Sequence, residues 1–164
     1  MKVAQHTKYN KNKITLNITE VPRPTMNENQ VLIKVSAAGV NPLDNKISRG
    51  EVEMIVPYKL PQIAGNEVVG IVESIGNQVN NLQVGDRVFG RLPLDHIGAF
   101  AEYVAVDSQA LAKVPDYLSD EEAAAVPLTA LTIMQALDLM GAQAGKTIFI
   151  SGDTGGVGGM AIPI

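Results

Sequence analysis

The sequence predicts a mainly β domain followed by the opening of an α/β nucleotide-binding unit. Three observations carry that expectation. Short apolar or alternating runs recur from residue 1 to about residue 115, each punctuated by glycine, proline or asparagine, as in a barrel or sandwich. At Ser119 the pattern switches to helical spacing behind a capping-box start. Lys146–Gly152 then reads as a buried strand entering a glycine-rich turn, Gly152-Asp153-Thr154-Gly155-Gly156-Val157-Gly158.

Each element has its own signal. The first strand reaches about His6, and Ile14–Ile18 alternates apolar and polar residues as a half-buried strand does. Pro22 and Pro24 impose an extended connection. Val31–Ala37 and Val68–Ile75 are the next strands, the second closed by Gly76-Asn77. Gly85–Gly90 opens on a turn, and Phe100–Val106 and Leu111–Val114 complete the β set. Ser119-Asp120-Glu121-Glu122 places a hydroxyl at the cap and a carboxylate three residues on, with acidic side chains suited to the helix dipole. Pro127 restarts the helix. Leu128, Leu131, Ile133, Met134, Leu137 and Met140 continue it, and Gly141 and Gly145 end it.

The glycine turn carries the chemistry. A strand-to-helix turn leaves backbone N–H groups unpaired at the helix start, and these, with the helix dipole, hold a pyrophosphate. Glycine is needed where a Cβ would block the phosphate or force an unfavourable φ. The spacing is Gly152-x-x-Gly155-Gly156-x-Gly158, which differs from G-x-G-x-x-G, and Asp153 must point away from any bound phosphate. Six residues follow Gly158, whereas a βαβ unit needs about 30 or more. The sequence therefore reads as the front part of a nucleotide-dependent enzyme. The acidic residue that reads the ribose falls about 20 positions after the turn, past Ile164, so NAD and NADP stay undistinguished.

Composition narrows the partners. With 46% hydrophobic and 18% charged residues the chain is an ordinary globular protein. A net charge of -4 with scattered basic residues speaks against nucleic acid and against an anionic membrane. There is no cysteine, which excludes disulfides, thiolate catalysis and a cysteine-ligated zinc site. His6 and His96 stand apart and make no metal spacing. The amino terminus has no apolar signal-peptide core, and Ala123–Leu139 is too short and too polar to span a bilayer, so the expected compartment is the cytoplasm.

The sequence resembles the medium-chain dehydrogenase/reductase superfamily, specifically its zinc-free quinone oxidoreductase branch. The matching stretches are Gly39-Val40-Asn41-Pro42-Leu43-Asp44, Gly65-Asn66-Glu67-Val68-Val69-Gly70-Ile71-Val72, Val84-Gly85-Asp86-Arg87-Val88 and Gly98-Ala99-Phe100-Ala101-Glu102-Tyr103. Val126-Pro127-Leu128-Thr129-Ala130 and Gly155-Gly156-Val157-Gly158 complete the series. The resemblance implies a GroES-like β-barrel with flanking helices over residues 1–118. Residues 119–164 are then connecting helices and the truncated start of an α/β Rossmann domain, with a cleft between the two parts. It also implies NADPH or NADH as cofactor, no zinc, a small conjugated carbonyl as substrate, and a homodimer when full length.

By that resemblance Asn41 and Thr129 flank the nicotinamide, and Gly152, Gly155, Gly156, Val157 and Gly158 hold the cofactor phosphates. On the residues alone, the plainer role of Asn41 is a turn residue before Pro42, and that of Thr129 a helix-start hydroxyl. Asp44, the third catalytic candidate, orients a cleft residue or caps a short helix over Leu43–Ser48. Lys46 stands where relatives often have tyrosine, so no phenol is available there as an acid. Asn66 and Glu67 occupy the place of the Gly-His-Glu metal site of zinc-dependent relatives; the plainer expectation is a structural loop with Glu67 bonded to backbone. Tyr58 is expected to pack its loop, and Gly85-Asp86-Arg87 to fix a turn.

Zinc stabilises developing charge on a carbonyl oxygen by several kcal/mol. Without it, a quinone or α,β-unsaturated carbonyl is the favoured hydride acceptor, because conjugation spreads the charge. The sequence thus implies the N-terminal part of an NAD(P)H-dependent reductase of such acceptors, with the 164 residues alone inactive. The alternative is a stand-alone GroES-like binding or structural module.

Overall fold

Two antiparallel sheets form the β domain of the computed structural model, which describes residues 1–164. The strands are β1 (Lys2–His6), β2 (Asn17–Glu20), β3 (Gln30–Ala37), β4 (Gln62–Ile63), β5 (Glu67–Ile75), β6 (Arg87–Arg91), β7 (Tyr103–Asp107) and β8 (Ala112–Lys113). The helices are α1 (Pro42–Arg49), α2 (Asp120–Ala124), α3 (Pro127–Leu139) and α4 (Gly156–Ala161). The small sheet runs β2-β1-β4 and the large one β7-β3-β5-β6-β8. Residues 98–102 stitch the two together: Ala4 N–H donates to Phe100 O (2.8 Å), Phe100 N–H to Ala64 O (2.8 Å) and Glu102 N–H to Lys2 O (3.1 Å). This is the mainly β, GroES-like architecture that the resemblance implied.

The period-2 rule fills the interior. Val31 and Ile33 of β3, Val68 and Val72 of β5, Val88 of β6, and Val104 and Val106 of β7 form one core with Leu82, Leu92 and Ala99. Val69, on the opposite face of β5, packs under α2 against Ala123, Ala124 and Val114. β5 is therefore apolar on both faces at its start, and Glu67 sits at the head of that run, fully buried.

Three sequence expectations change. Of Ile14–Ile18, only the last two residues enter a strand, because the register with β1 runs from Lys2↔Glu20 to Gln5↔Asn17 and stops there. Ile18 faces out, 71% exposed. Phe100 belongs to the inter-sheet stitch, and β7 starts only at Tyr103. Lys146–Ser151 is neither paired nor buried: no other segment lies beside it to accept a ladder, and Phe149 is 92% exposed. The glycine turn after it still enters a helix, α4.

The helical signals held closely. Ser119 Oγ accepts from Glu122 N–H at 3.1 Å and Glu122 Oε2 from Ser119 N–H at 2.9 Å, the reciprocal capping box. Pro127 is the first residue of α3, and Gly141, at φ +62°, follows its end. No helix is long and apolar enough to cross a membrane.

Candidate functional site

The site starts where β3 hands the chain to α1. Asn41 is the N-cap of α1, Pro42 its first residue, and Asp44 the third helical residue, whose Oδ2 accepts from Asn41 N–H at 2.7 Å. Asp44 thus does cap the helix, one of its two expected roles. Its other oxygen accepts from Asn66 Nδ2 at 2.8 Å, so it also fixes a fully buried residue just before β5. Asn41, Asp44, Asn66 and Glu67 are all buried.

Glu67 joins two elements. Its Oε2 accepts from Asn41 Nδ2 at 2.8 Å, and its Oε1 accepts from the backbone N–H of Leu128 at 2.7 Å. Leu128 follows Pro127 in the first turn of α3, where a backbone donor has no helical partner. The carboxylate supplies that partner from another part of the fold and places a negative group at the positive end of the helix. Gly39 makes the approach possible: a Cβ there would stand 2.3 Å from Glu67 Oε2 and 2.4 Å from Ala124 O.

On the far side of Asp44 the network continues to α1 and β1. Ser48 Oγ donates to Asp44 O at 2.8 Å and lies 3.3 Å from His6 Nε2. His6 Nδ1 and Asn66 Oδ1 are buried without a hydrogen-bond partner. Burial pushes the His6 imidazole below its ordinary value, against the opposing pull of Asp44. It pushes the Asp44 carboxyl up, while the Asn41 N–H and Asn66 amide pull it down. Glu67 is likewise raised by burial, with the Leu128 N–H and the Asn41 amide acting against the shift.

Thr129 is the next residue of α3. Its hydroxyl donates to Ala125 O at 2.9 Å, with Val126 O at 3.1 Å, so it bonds its own helix start. Its methyl reaches the glycine turn: a Cβ on Gly156 would lie 3.1 Å from Thr129 Cγ2. In the turn itself, a Cβ on Gly158 would strike Gly152 O at 2.1 Å, and Gly152 has φ +76°. Gly155 is the N-cap of α4 and has no side-chain cap, while Val157 lies in its first turn. Asp153 is exposed.

The structure therefore brings Asn41, Asp44, Glu67 and the start of α3 together, and sets Thr129 against the glycine turn. It leaves Lys46 exposed in the last turn of α1 and His96 exposed beside Asp95. Tyr58 packs its loop, its hydroxyl donating to Leu94 O. No three His, Cys, Asp or Glu side chains converge as a metal site would require. Glu67 does bond to backbone, as expected, but sequence reasoning missed that the donor is Leu128 of α3, and missed His6 and Ser48 as parts of the network. A carboxylate at the head of the apolar run Val68–Val72, and the donor that Pro127 leaves free one residue later, were the available signals.

A family model for the alcohol dehydrogenase GroES-like domain matches residues 27–116. Along its whole length the chain is 37% identical to a 2-methylene-furan-3-one reductase from Solanum lycopersicum, of which it covers 44%. Among solved structures, the quinone oxidoreductase from Coxiella burnetii superposes on 99% of the chain with TM-score 0.89 and 35% identity, the chain covering 52% of it. A mycobacterial protein solved in complex with NADPH matches over 98% of the chain and 48% of its own, with TM-score 0.85 and 31% identity. The chain spans about half the length of the curated relatives it matches. A β domain of this topology, matched by that family model over most of its strands, settles the lineage: the chain belongs to the alcohol dehydrogenase GroES-like family, in the quinone oxidoreductase-like part of the medium-chain dehydrogenase/reductase superfamily.

Proposed function

We propose that the protein carrying this chain is an NAD(P)H-dependent, zinc-independent oxidoreductase that reduces quinones or other α,β-unsaturated carbonyls. The observation that carries this reading is the convergence at the start of α3. Glu67 holds the barrel residue Asn41 and the Leu128 N–H, and the next residue, Thr129, packs on Gly156 of the glycine turn. Barrel and phosphate turn thus meet on one helix turn.

The chain's residues fit a dinucleotide. The turn is closed so tightly that Gly158 tolerates no Cβ, and α4 opens on Gly155 and Gly156 with no side-chain cap. Gly152, Gly155, Gly156, Val157 and Gly158 are the proposed phosphate cradle. NADPH is the favoured cofactor, since the mycobacterial structural neighbour is described in complex with it.

Bound reduced nicotinamide supplies the hydride. Asn41 and Thr129 are proposed to flank its ring and orient the carboxamide or the substrate oxygen, and Asp44 fixes Asn41 through the helix start. Where zinc-dependent relatives place ligands, this chain places the amides of Asn41 and Asn66, each donating to a carboxylate. Neutral amides so engaged are poor zinc ligands. Without a Lewis acid, the acceptor must spread its own charge, which favours a conjugated carbonyl. The proton that completes reduction comes from solvent, since Lys46 replaces the phenol.

Residues 1–118 are the proposed catalytic domain and residues 119–164 the connection to the nucleotide-binding domain. A homodimer, as the family resemblance implies, and a cytoplasmic location complete the proposal. The direct test is reduced-nicotinamide oxidation by the protein as its cell makes it, across a panel of quinones and enals. Turnover of at least one acceptor is expected, and none with NADPH or NADH defeats the reading. A binding module without catalysis is the second reading, favoured by the exposed Leu139, Phe149 and Ile162. Self-association of the 164-residue chain in gel filtration supports it, and a monodisperse monomer counts against it.

A further inference from the structure

Resting on the reductase reading above, we infer that Glu67 is the positioning residue of the hydride-transfer site. One buried carboxylate sets the place of both residues that flank the nicotinamide, Asn41 directly and Thr129 through the first turn of α3.

The geometry is specific. Glu67 has two carboxylate oxygens and each has one donor: Leu128 N–H on Oε1 and Asn41 Nδ2 on Oε2. The two donors lie on separate elements, the α1 cap and the α3 start, and Leu128 is 61 positions along the chain from Glu67. Glu67 is 1% exposed, so water cannot replace a lost partner. Gly39 admits the carboxylate where any larger residue would collide with it. A carboxylate accepting from a helix N–H and a side-chain amide makes the stronger, charge-assisted kind of hydrogen bond. A helix held by its first turn carries Thr129 with it, one residue beyond the bond. Hydride transfer depends on the distance between donor and acceptor carbons, and small displacements there reduce rate steeply. Nothing else in the network reaches α3: Asp44 bonds only its own helix start, Asn66 and Ser48.

The chemistry of the clamp provides its own test. Glutamine at 67 has one acceptor and one donor end. The Leu128 N–H cannot change polarity, so the glutamine oxygen must serve it, and the glutamine NH2 then faces the Asn41 NH2. Glu67→Gln therefore keeps the α3 bond and either breaks the Asn41 bond or turns the Asn41 amide over, which puts its NH2 in place of its oxygen at the other terminal position. Adding Asn41→Asp restores an acceptor opposite that NH2, conserves the summed charge of the pair, and leaves the second terminal atom of residue 41 an oxygen, as in asparagine.

The experiment compares wild type, E67Q, N41D and the N41D/E67Q pair in the natural full protein. Four quantities are read: thermal stability without cofactor, kcat/KM, the Kd for NADPH from its fluorescence, and the primary kinetic isotope effect with NADPH deuterated at the transferred position. The isotope effect is a ratio, so it does not change with the fraction of protein folded. We expect E67Q to lower kcat/KM by about tenfold or more, to raise the isotope effect and to weaken NADPH binding. The double variant should recover all three towards wild type. Coupling in stability alone, with the wild-type isotope effect and Kd in E67Q, makes Glu67 a structural bridge only and overturns the inference. A double variant no better than E67Q also overturns it. A wild type that neither binds nor oxidises NADPH or NADH defeats the reductase reading itself, and is seen before any variant is made.

Discussion

Gly39 is what allows Glu67 to lie where it does: a Cβ at residue 39 would come within 2.3 Å of Glu67 Oε2 and 2.4 Å of the Ala124 carbonyl. One of these neighbours is rigid backbone and the other a carboxylate tied at both ends, so neither yields cheaply. We expect Gly39→Ala to destabilise the protein by about 1–3 kcal/mol, the range for overpacking a filled interior. Denaturant unfolding of the variant checks this. A loss of a few tenths would mean that the Glu67 carboxylate moves freely.

Thr129 separates catalysis from stability. Its hydroxyl bonds carbonyls of its own helix start at 2.9 and 3.1 Å, contacts that helices readily replace or forgo. Thr129→Val keeps the shape and the methyl near Gly156. We expect a stability change below about 1 kcal/mol together with a fall in turnover larger than that change explains. Unchanged turnover in an active enzyme would remove Thr129 from the site.

These residues also mark how far the sequence could be read. The capping box at Ser119 and the Pro127 restart were legible because their signals are local, side chain to backbone within three residues. Val31–Ala37 and Val68–Ile75 were legible because buried strands announce themselves by apolar content. Ile14–Ile18 and Lys146–Ser151 misled for one shared reason: alternation describes a strand's faces, but its existence depends on a neighbour elsewhere in the chain. The site followed the same division. Asn41, Asp44 and Glu67 were visible as residues, and a capping role for Asp44 was one of two expected, although the cap itself is Asn41 and the helix starts at Pro42. The bonds from Glu67 to Leu128 and from Ser48 to His6 span 61 and 42 residues, beyond any periodicity.

The buried network makes stability depend on pH with two opposite signs. His6 has a folded value below its ordinary 6.5 because burial disfavours the imidazolium. The unfolded chain then binds more protons, so this contribution is full above 6.5 and is lost as pH falls towards the folded value. Glu67 and Asp44 are raised above 4.5 and 3.8 by burial, so the folded chain binds more protons. Their contribution is full at low pH and is lost as pH rises through the folded values. We expect His6→Gln to flatten the loss of stability below pH 6.5. Glu67→Gln should instead flatten the decline above pH 4.5, so its deficit against wild type shrinks as pH rises. Unfolding midpoints measured across that range decide both, and parallel curves for wild type and variants would contradict them.

Arg87 fastens the β domain to the helices that lead to the glycine turn. Its Nε donates to Asp120 Oδ1 at 2.6 Å and its Nη2 donates to the Leu118 carbonyl, so one guanidinium holds both the residue before the α2 cap and the first residue of α2. Both side chains are about a third exposed, at 28% and 31%, so the ionic part is screened and the fork geometry carries most of the effect. Lysine keeps the charge but has no planar fork and reaches one acceptor at a time. We therefore expect Arg87→Lys to lose nearly as much as Arg87→Met, about 1–2 kcal/mol each, with the deficit changing little between low and high salt. If lysine instead restored most of the stability at low salt and lost it at high salt, charge attraction to Asp120 would be the operative force, and the bond to Leu118 would be incidental.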